Sequence, residues 1–379
     1  MSKPQFRVCY LVSTLGRTGP TRQLYNLTKY LNKDDFSPSI ITLSKNPSDN
    51  LQDQFEKLGV QVHSLGLSRF SSVFLGKHRL KALLSCLQPD LLHSQGLRAD
   101  WLSSQIRSPL RRVATRRNTP ALDYPPLMGR VPGKFAALVH ERAFRNLPVV
   151  VACGTSVCPS CERNNSAQRV IHNGVDLEHA PHVLGDAQKA TERARINLPP
   201  SAKVFIFSGP LIARKNIFFL LDQFRGGKTS DYHLLILGDG PLRSVCEDYT
   251  RDIPNVSFLG NRPNVWEYLR LADYFVSSSK AEGMPNAVLE ALASGLPVLL
   301  SDIPSHQEIL SLSPKVGKLF ELDDSTSFMQ AIDDLVKTPE LDTNARTLVE
   351  KYFSADIMSA HYQRLYRQLI CELSEERPV

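Results

Sequence analysis

Residues 274–304 read YFVSSSKAEGMPNAVLEALASGLPVLLSDIP. Tyr274 to Ser277 is a short apolar run of strand composition, Asn286 opens a helix-forming stretch after a Gly283-Met284-Pro285 turn, and Val298 to Ser301 is a second buried strand. Strand, helix and strand in that order make a parallel βαβ unit. Parallel sheets present ligands with their strand C-terminal ends and the N-termini of the following helices, where unpaired backbone N–H groups and the helix dipole favour anions and hydroxyls. Glu282-Gly283-Met284-Pro285-Asn286 stands at that position. Glu282 in the loop and Glu290 two turns into the helix can each accept hydrogen bonds from ligand hydroxyls. Two acids beside a helix start are also what the helix dipole favours without any ligand.

The same rhythm extends in both directions. In the second half, strands are expected at Val204 to Ser208, His233 to Leu237 and Val256 to Leu259, with helices from about Asn216, Leu242 and Val265. In the first half, strands are expected at Phe6 to Val12, Ser39 to Leu43, Val60 to Ser64, Leu91 to Ser94, Arg112 to Thr115 and Val149 to Ala152. Leu24, Leu27 and Leu31 have helical spacing after a Gly19-Pro20-Thr21 start signal. The fold class is therefore α/β with two doubly wound, Rossmann-like lobes, residues 1–177 and 201–354. The polar, proline-bearing stretch 178–200 reads as the linker, and 355–379 as a helix with no partner strand, expected to complete the first lobe. Two such lobes imply a ligand cleft facing both.

With 379 residues, 42% apolar and 22% charged, the chain is an ordinary globular one, which excludes collagen, coiled coil and wholesale disorder. No apolar run approaches the roughly 18 residues of a membrane span, and Val8 to Val12 is too short for a signal-peptide core, so a cytoplasmic location is expected. Residues 1–180 hold 24 Lys+Arg against 12 Asp+Glu, net +12, whereas the remainder is net −5. Clusters at Lys77, Arg79 and Lys81 and at Arg107, Arg111, Arg112, Arg116 and Arg117 suit anionic lipid, a phosphate-bearing acceptor or nucleic acid. Missing aromatic interleaving argues against single-strand nucleic acid. Cys153, Cys158 and Cys161 have the spacing of an iron–sulfur site but no nearby fourth cysteine, so small core residues are the expected reading and no metal is assigned.

Segment 277–304 resembles the signature of retaining glycosyltransferases of the GT-B fold, family 4. SGPLIARKN at 208–216, GDGPLR at 238–243, NVSFLGNRPNVWEYLRLAD at 255–273 and HNGVD at 172–176 stand in that family's order and spacing. PDLLHSQG at 89–96 and LGRTGPTRQLYNL are weaker matches in the first half. The resemblance implies transfer of a hexose-type sugar from a nucleotide diphosphate donor, expected to be a UDP-sugar, to a saccharide or lipid-linked saccharide during cell-surface polysaccharide synthesis. It assigns Lys215 to the diphosphate, Glu282 to hydroxyls of the donor sugar, Glu290 to the ribose, and the backbone of Gly283, Met284, Pro285 and Asn286 to sugar and phosphate. Gly16, Gly238 and Gly260 join the donor-binding set. No cofactor and no metal are implied, and an anionic inner membrane face is a further expected partner.

The sequence departs from that pattern in places. Pro210 follows Gly209 where the family carries Arg, so Arg214 is the expected replacement cation, with Arg17 a second candidate. His93 is the candidate near the reaction centre, a buried strand histidine being the alternative. Arg117-Asn118, assigned to the acceptor site, stands where the family often has His-Asn or His-Gly and suggests an anionic acceptor or donor group. The other readings are an epimerase or phosphorylase of the same architecture, against which the 282–290 segment counts, and a basic nucleic-acid or lectin-like module.

Overall fold

A computed structural model describes residues 5–158, 169–178, 180–181, 184–225, 229–338 and 342–375. The chain divides into two compact units, one of Met1–Gly174 with Ala355–Val379 and one of Val175–Ser354.

The first unit is built on seven strands: β1 Phe6–Val12, β2 Phe36–Thr42, β3 Gln61–Ser64, β4 Leu91–Gln95, β5 Arg111–Arg116, β6 Val149–Ala152 and β7 Arg169–Val170. They pair in the order β3-β2-β1-β4-β5-β6-β7, every pair parallel. Strands buried on both faces need apolar residues at successive positions, which is why β1 and β6 carry Val8 to Val12 and VVVA. One face is covered by the helices Gly19–Lys29 and Ala355–Glu375, the second giving Met358, Tyr362, Leu365, Tyr366 and Leu369 to the core. Leu80, Leu84, Leu102 and Ile106 fill the other face.

The second unit has six strands: β8 Lys203–Ser208, β9 Tyr232–Leu237, β10 Val256–Gly260, β11 Tyr274–Ser277, β12 Val298–Ser301 and β13 Gly317–Phe320. Their order is β10-β9-β8-β11-β12-β13, again parallel throughout. Each unit by itself is Rossmann-like. In each sheet the chain reverses its direction of travel once, between β1 and β4 and between β8 and β11. Such a switch point leaves the loops after the two strands diverging, which opens a crevice at their C-terminal ends.

Two expectations change. The stretch 178–200 is no free tether: it carries the helix Asp186–Arg195 and belongs to the second unit. Lys189 and Arg193 of that helix both bind Asp273, at 2.8 and 2.7 Å, and Arg193 also donates to the Leu271 carbonyl. A helix docked by charge has no apolar stripe to betray it. The arginines near 111–117 are also not a free cationic patch. Arg116 is buried against Glu141, Arg112 donates to the Ser103 carbonyl and Arg111 to the Leu369 carbonyl. Cys153 is buried and Cys158 half-buried, while Cys161 lies outside the described residues.

Candidate functional site

The loops after β8 and β11, at the second switch point, carry Arg214 and Lys215 on one side and Glu282 on the other. Lys215 Nζ donates to Glu282 Oε1 at 2.5 Å and Arg214 Nη1 to Glu282 Oε2 at 2.9 Å. Ser279 Oγ adds a bond to Oε1 at 2.9 Å, and Arg214 also donates to the Ala281 carbonyl. Burial by itself pushes the Glu282 carboxyl up. The charges of Lys215 and Arg214 and the bonds from Lys215 and Ser279 outweigh it, and the group is lowered to about 2. The site therefore sets two basic side chains against one carboxylate held ionised well below neutral pH.

Glycine positions this group. Leu211 N–H donates to the Asp239 carbonyl, Gly238 N–H to Gly260, Gly209 N–H to Leu237 and Lys280 N–H to Arg214, so the loops after four neighbouring strands are stitched together. A Cβ on Gly238 would lie 1.9 Å from the Gly209 carbonyl oxygen. At Gly260, with φ +71°, a Cβ would meet the Arg243 guanidinium at 2.6 Å. Lys215 passes over Gly209, its Cε 3.2 Å from where a Cβ would stand.

Pro285 caps the helix Asn286–Ala293 in extended conformation, so Glu290 sits one turn in rather than two. Asn286 and Glu290 are four apart, on one face, and both are half-buried. Met284 and Pro285 are buried and Gly283 half-buried.

In the first unit, His93 lies mid-strand with no exposure. Its Nδ1 is 2.6 Å from Tyr366 Oη and its Nε2 2.7 Å from Thr115 Oγ1, which is in turn 2.9 Å from Tyr362 Oη. Burial, with a contribution from Arg117, lowers it to about 3. With both ring nitrogens used it has the geometry of a neutral core histidine, which corrects its expected place at the reaction centre. Arg117 follows β5 and reaches Asn173 of the HNGVD segment at 2.8 Å and Gln95, at the end of β4, at 3.0 Å. Asn118 follows it on the same loop, half-buried. Gly16, after β1, is bridged to Asn50 with Pro47 against it, and the neighbouring Arg17 is paired with Asp49.

Residues 17–179 match the family model Glycosyltransferase Family 4, and residues 202–338 match Glycosyl transferases group 1. The chain carries glycosyltransferase family 4 and group 1 domains. This glycosyltransferase-family chain is 28% identical over 247 residues to the putative teichuronic acid biosynthesis glycosyltransferase TuaC of Bacillus subtilis (strain 168), covering 60% of this chain and 59% of TuaC. It is 32% identical over 173 residues to the UDP-Gal:alpha-D-GlcNAc-diphosphoundecaprenol alpha-1,3-galactosyltransferase of Escherichia coli, 43% of each. The first curated relatives it matches are spanned over only 29–59% of their length. Among solved structures, HepE of Anabaena in complex with UDP-glucose superposes with a TM-score of 0.75 at 16% identity, covering 98% of this chain and 100% of HepE.

Sequence reasoning missed the layer beneath the site in this glycosyltransferase-family chain. Ser278 Oγ donates to the Lys215 and Asn216 carbonyls, Ser301 Oγ to the Ser279 carbonyl, and His306 Nδ1 bonds the Ser301 carbonyl at 2.7 Å. His306 is fully buried and lowered to about 4 by that burial. Ser277, Ser278 and Ser279 at the C-terminal end of a buried strand, beside an acidic loop, were the available signal, since buried hydroxyls must be used. Among the described residues no three or more His, Cys, Asp or Glu side chains are grouped to hold a metal.

Proposed function

We propose that the chain transfers a hexose-type sugar from a nucleoside diphosphate donor, a UDP-sugar, to a saccharide or lipid-linked saccharide acceptor on the cytoplasmic side, with retention at the anomeric carbon. The observation that carries this reading is the cluster of Lys215, Arg214 and Glu282 at the second switch point. A departing diphosphate gathers negative charge, and a cation held in place before the reaction stabilises it without having to reorganise. Lys215 and Arg214 serve that charge, and Arg214 takes over the position left by Pro210. Glu282 stays ionised at any physiological pH, so it accepts hydrogen bonds from sugar hydroxyls and is no proton donor. Glu290 takes the ribose hydroxyls, and the backbone of Gly283 to Asn286 faces sugar and phosphate. Arg117 and Asn118 take an anionic group of the acceptor.

In the transfer, the acceptor oxygen bonds to the anomeric carbon on the face from which the diphosphate leaves. The carbon–oxygen bond to the diphosphate breaks, and the acceptor proton passes to the leaving phosphate oxygen. No side-chain base is required. The names of the E. coli galactosyltransferase, with its UDP-Gal and diphosphoundecaprenol, and of the HepE complex with UDP-glucose support the donor class and the lipid-linked acceptor.

The test is thermal shift and donor hydrolysis over a panel of nucleotide sugars, with Lys215→Ala and Glu290→Ala beside wild type. One donor is expected to stabilise wild type, with both variants losing that response and hydrolysis falling about 10²–10³-fold in Lys215→Ala. Variants that respond like wild type would overturn the assignment.

A further inference from the structure

The helix Arg130–Arg145 is amphipathic in an unusual sense: both of its long faces carry apolar residues. Gly133, Ala137, His140 and Phe144 face inward and are buried. His140 is hydrogen-bonded to Asp100 of the helix Leu97–Ser104 at 2.8 Å and to Tyr124 of the helix Pro120–Met128 at 2.7 Å, which fixes this face. The opposite face holds Val131, Phe135 and Leu138, at spacings of four and three, with exposures of 78, 68 and 65%. Leu127, on the preceding helix, is 72% exposed.

A second apolar group stands on another helix that packs against Leu97–Ser104. Phe70 and Phe74, at the start of the helix Ser71–Leu87, are 85 and 82% exposed. That helix packs on Leu102 through Gly76, where a Cβ would come within 3.0 Å of the leucine. Both groups follow strand C-terminal ends, β3 and β5, and so lie toward the ligand-facing edge of the first unit. Large side chains this exposed, clustered on one edge of a folded unit, mark an interaction surface.

Charge identifies the partner. Residues 69–87 and 130–145 together contain eight Lys and Arg and a single acid, Glu141, which is already paired with Arg116. Lys77, Lys81, Lys134 and Arg142 are exposed beside the aromatic residues. Self-association through this face would set like charges against each other, because a two-fold interface places one patch on its own copy. An anionic bilayer satisfies both features, the apolar face entering the acyl boundary and the cations meeting the headgroups. We propose that this edge of the first unit, centred on Phe74, Phe135 and Leu138, is an interfacial membrane-docking surface for anionic lipid. It acts from the same edge as Arg117, and it stands whether or not the donor assignment does.

The test is co-sedimentation of the full chain with phosphatidylcholine vesicles with and without phosphatidylglycerol, at low and high salt. Wild type is expected to bind the anionic vesicles, more weakly in high salt. Phe135→Ser with Leu138→Ser, and separately Phe74→Ser, should weaken binding about tenfold or more. Lys134→Glu with Lys77→Glu should abolish the preference for anionic lipid. All these positions are exposed, so melting temperature and donor response should stay at the wild-type value. Failure to bind anionic vesicles, binding that ignores the variants, or a wild-type dimer in solution that Phe135→Ser with Leu138→Ser dissociates would each overturn the proposal.

Discussion

Glu282 is held between two cations, and its energetics can be tested apart from its chemistry. Its ionisation is lowered from the ordinary 4.5 to about 2, a difference worth roughly 3 kcal/mol of stability. A carboxyl depressed in the folded state contributes that stability above its unfolded value, and the contribution is lost as pH falls from about 4.5 through 2. Glu282→Gln removes it and leaves Lys215 and Arg214 without a counter-charge. We expect the variant to be about 2–4 kcal/mol less stable than wild type at pH 7 and the gap to close toward pH 2. Urea unfolding of both proteins across that range measures it; a gap independent of pH would mean that the pair contributes nothing through charge. UDP should still bind the variant, since its cations are intact. The sequence made Lys215 and Glu282 legible through their motif. It did not disclose that they bond each other, because the βαβ pattern places each on its own strand end but not the distance between loops. His93 misled for a related reason: from the sequence, a histidine in a strand looks the same whether it faces a ligand or the core, until Tyr366, far along the chain, is seen to occupy Nδ1.

At the scale of elements, the strands were readable and their edges were not. Runs such as Phe6 to Val12, Tyr274 to Ser277 and Val298 to Ser301 appear where expected because strands buried on both faces have no polar alternation to blur them. β2 begins at Phe36 rather than after Pro38, because only β1 pairs with that end: β3 joins at Ser39, so the missing proline N–H faces no partner. The edge strands β7 and β13 went unread, the first having two residues and the second opening on Gly317 and Lys318. What holds the site's loops in register is the close approach at Gly238. Gly238→Ala drives a methyl into the Gly209 carbonyl and must part the ends of β8 and β9. A loss of about 1–3 kcal/mol in chemical denaturation is expected, with weaker UDP binding because Lys215 rides on the displaced loop. If stability fell while UDP affinity held, the loop junction would be structural only.

The chain enters the first unit twice, and the second entry is one helix. Ala355–Glu375 supplies five large side chains to a core otherwise built from residues before 175, and Arg367 to Asp35 and Ser359 to the Leu27 carbonyl tie it further. Deleting a buried Leu, Met or aromatic side chain costs about 2–5 kcal/mol apiece, so losing all five, about 10–25 kcal/mol, matches or exceeds the roughly 5–15 kcal/mol that holds a domain folded. Among the described residues, the second unit's core cluster around Phe205, Leu220, Leu234, Leu299 and Phe328 is built from residues 205–335. A chain ending at Ser354 is therefore expected to lose the first unit's cooperative unfolding transition and become protease-sensitive through residues 5–158, while the second unit keeps its transition and its response to UDP. Tyr366→Ala is the milder version, removing one buried ring and the partner of His93 Nδ1. It should lower the first unit's stability by about 3–5 kcal/mol and leave the second unchanged. Limited proteolysis and calorimetry of both variants read this directly: two transitions falling together would mean that the units share their stability, and a first unit surviving without its last helix would mean that its core closes on the remaining faces alone.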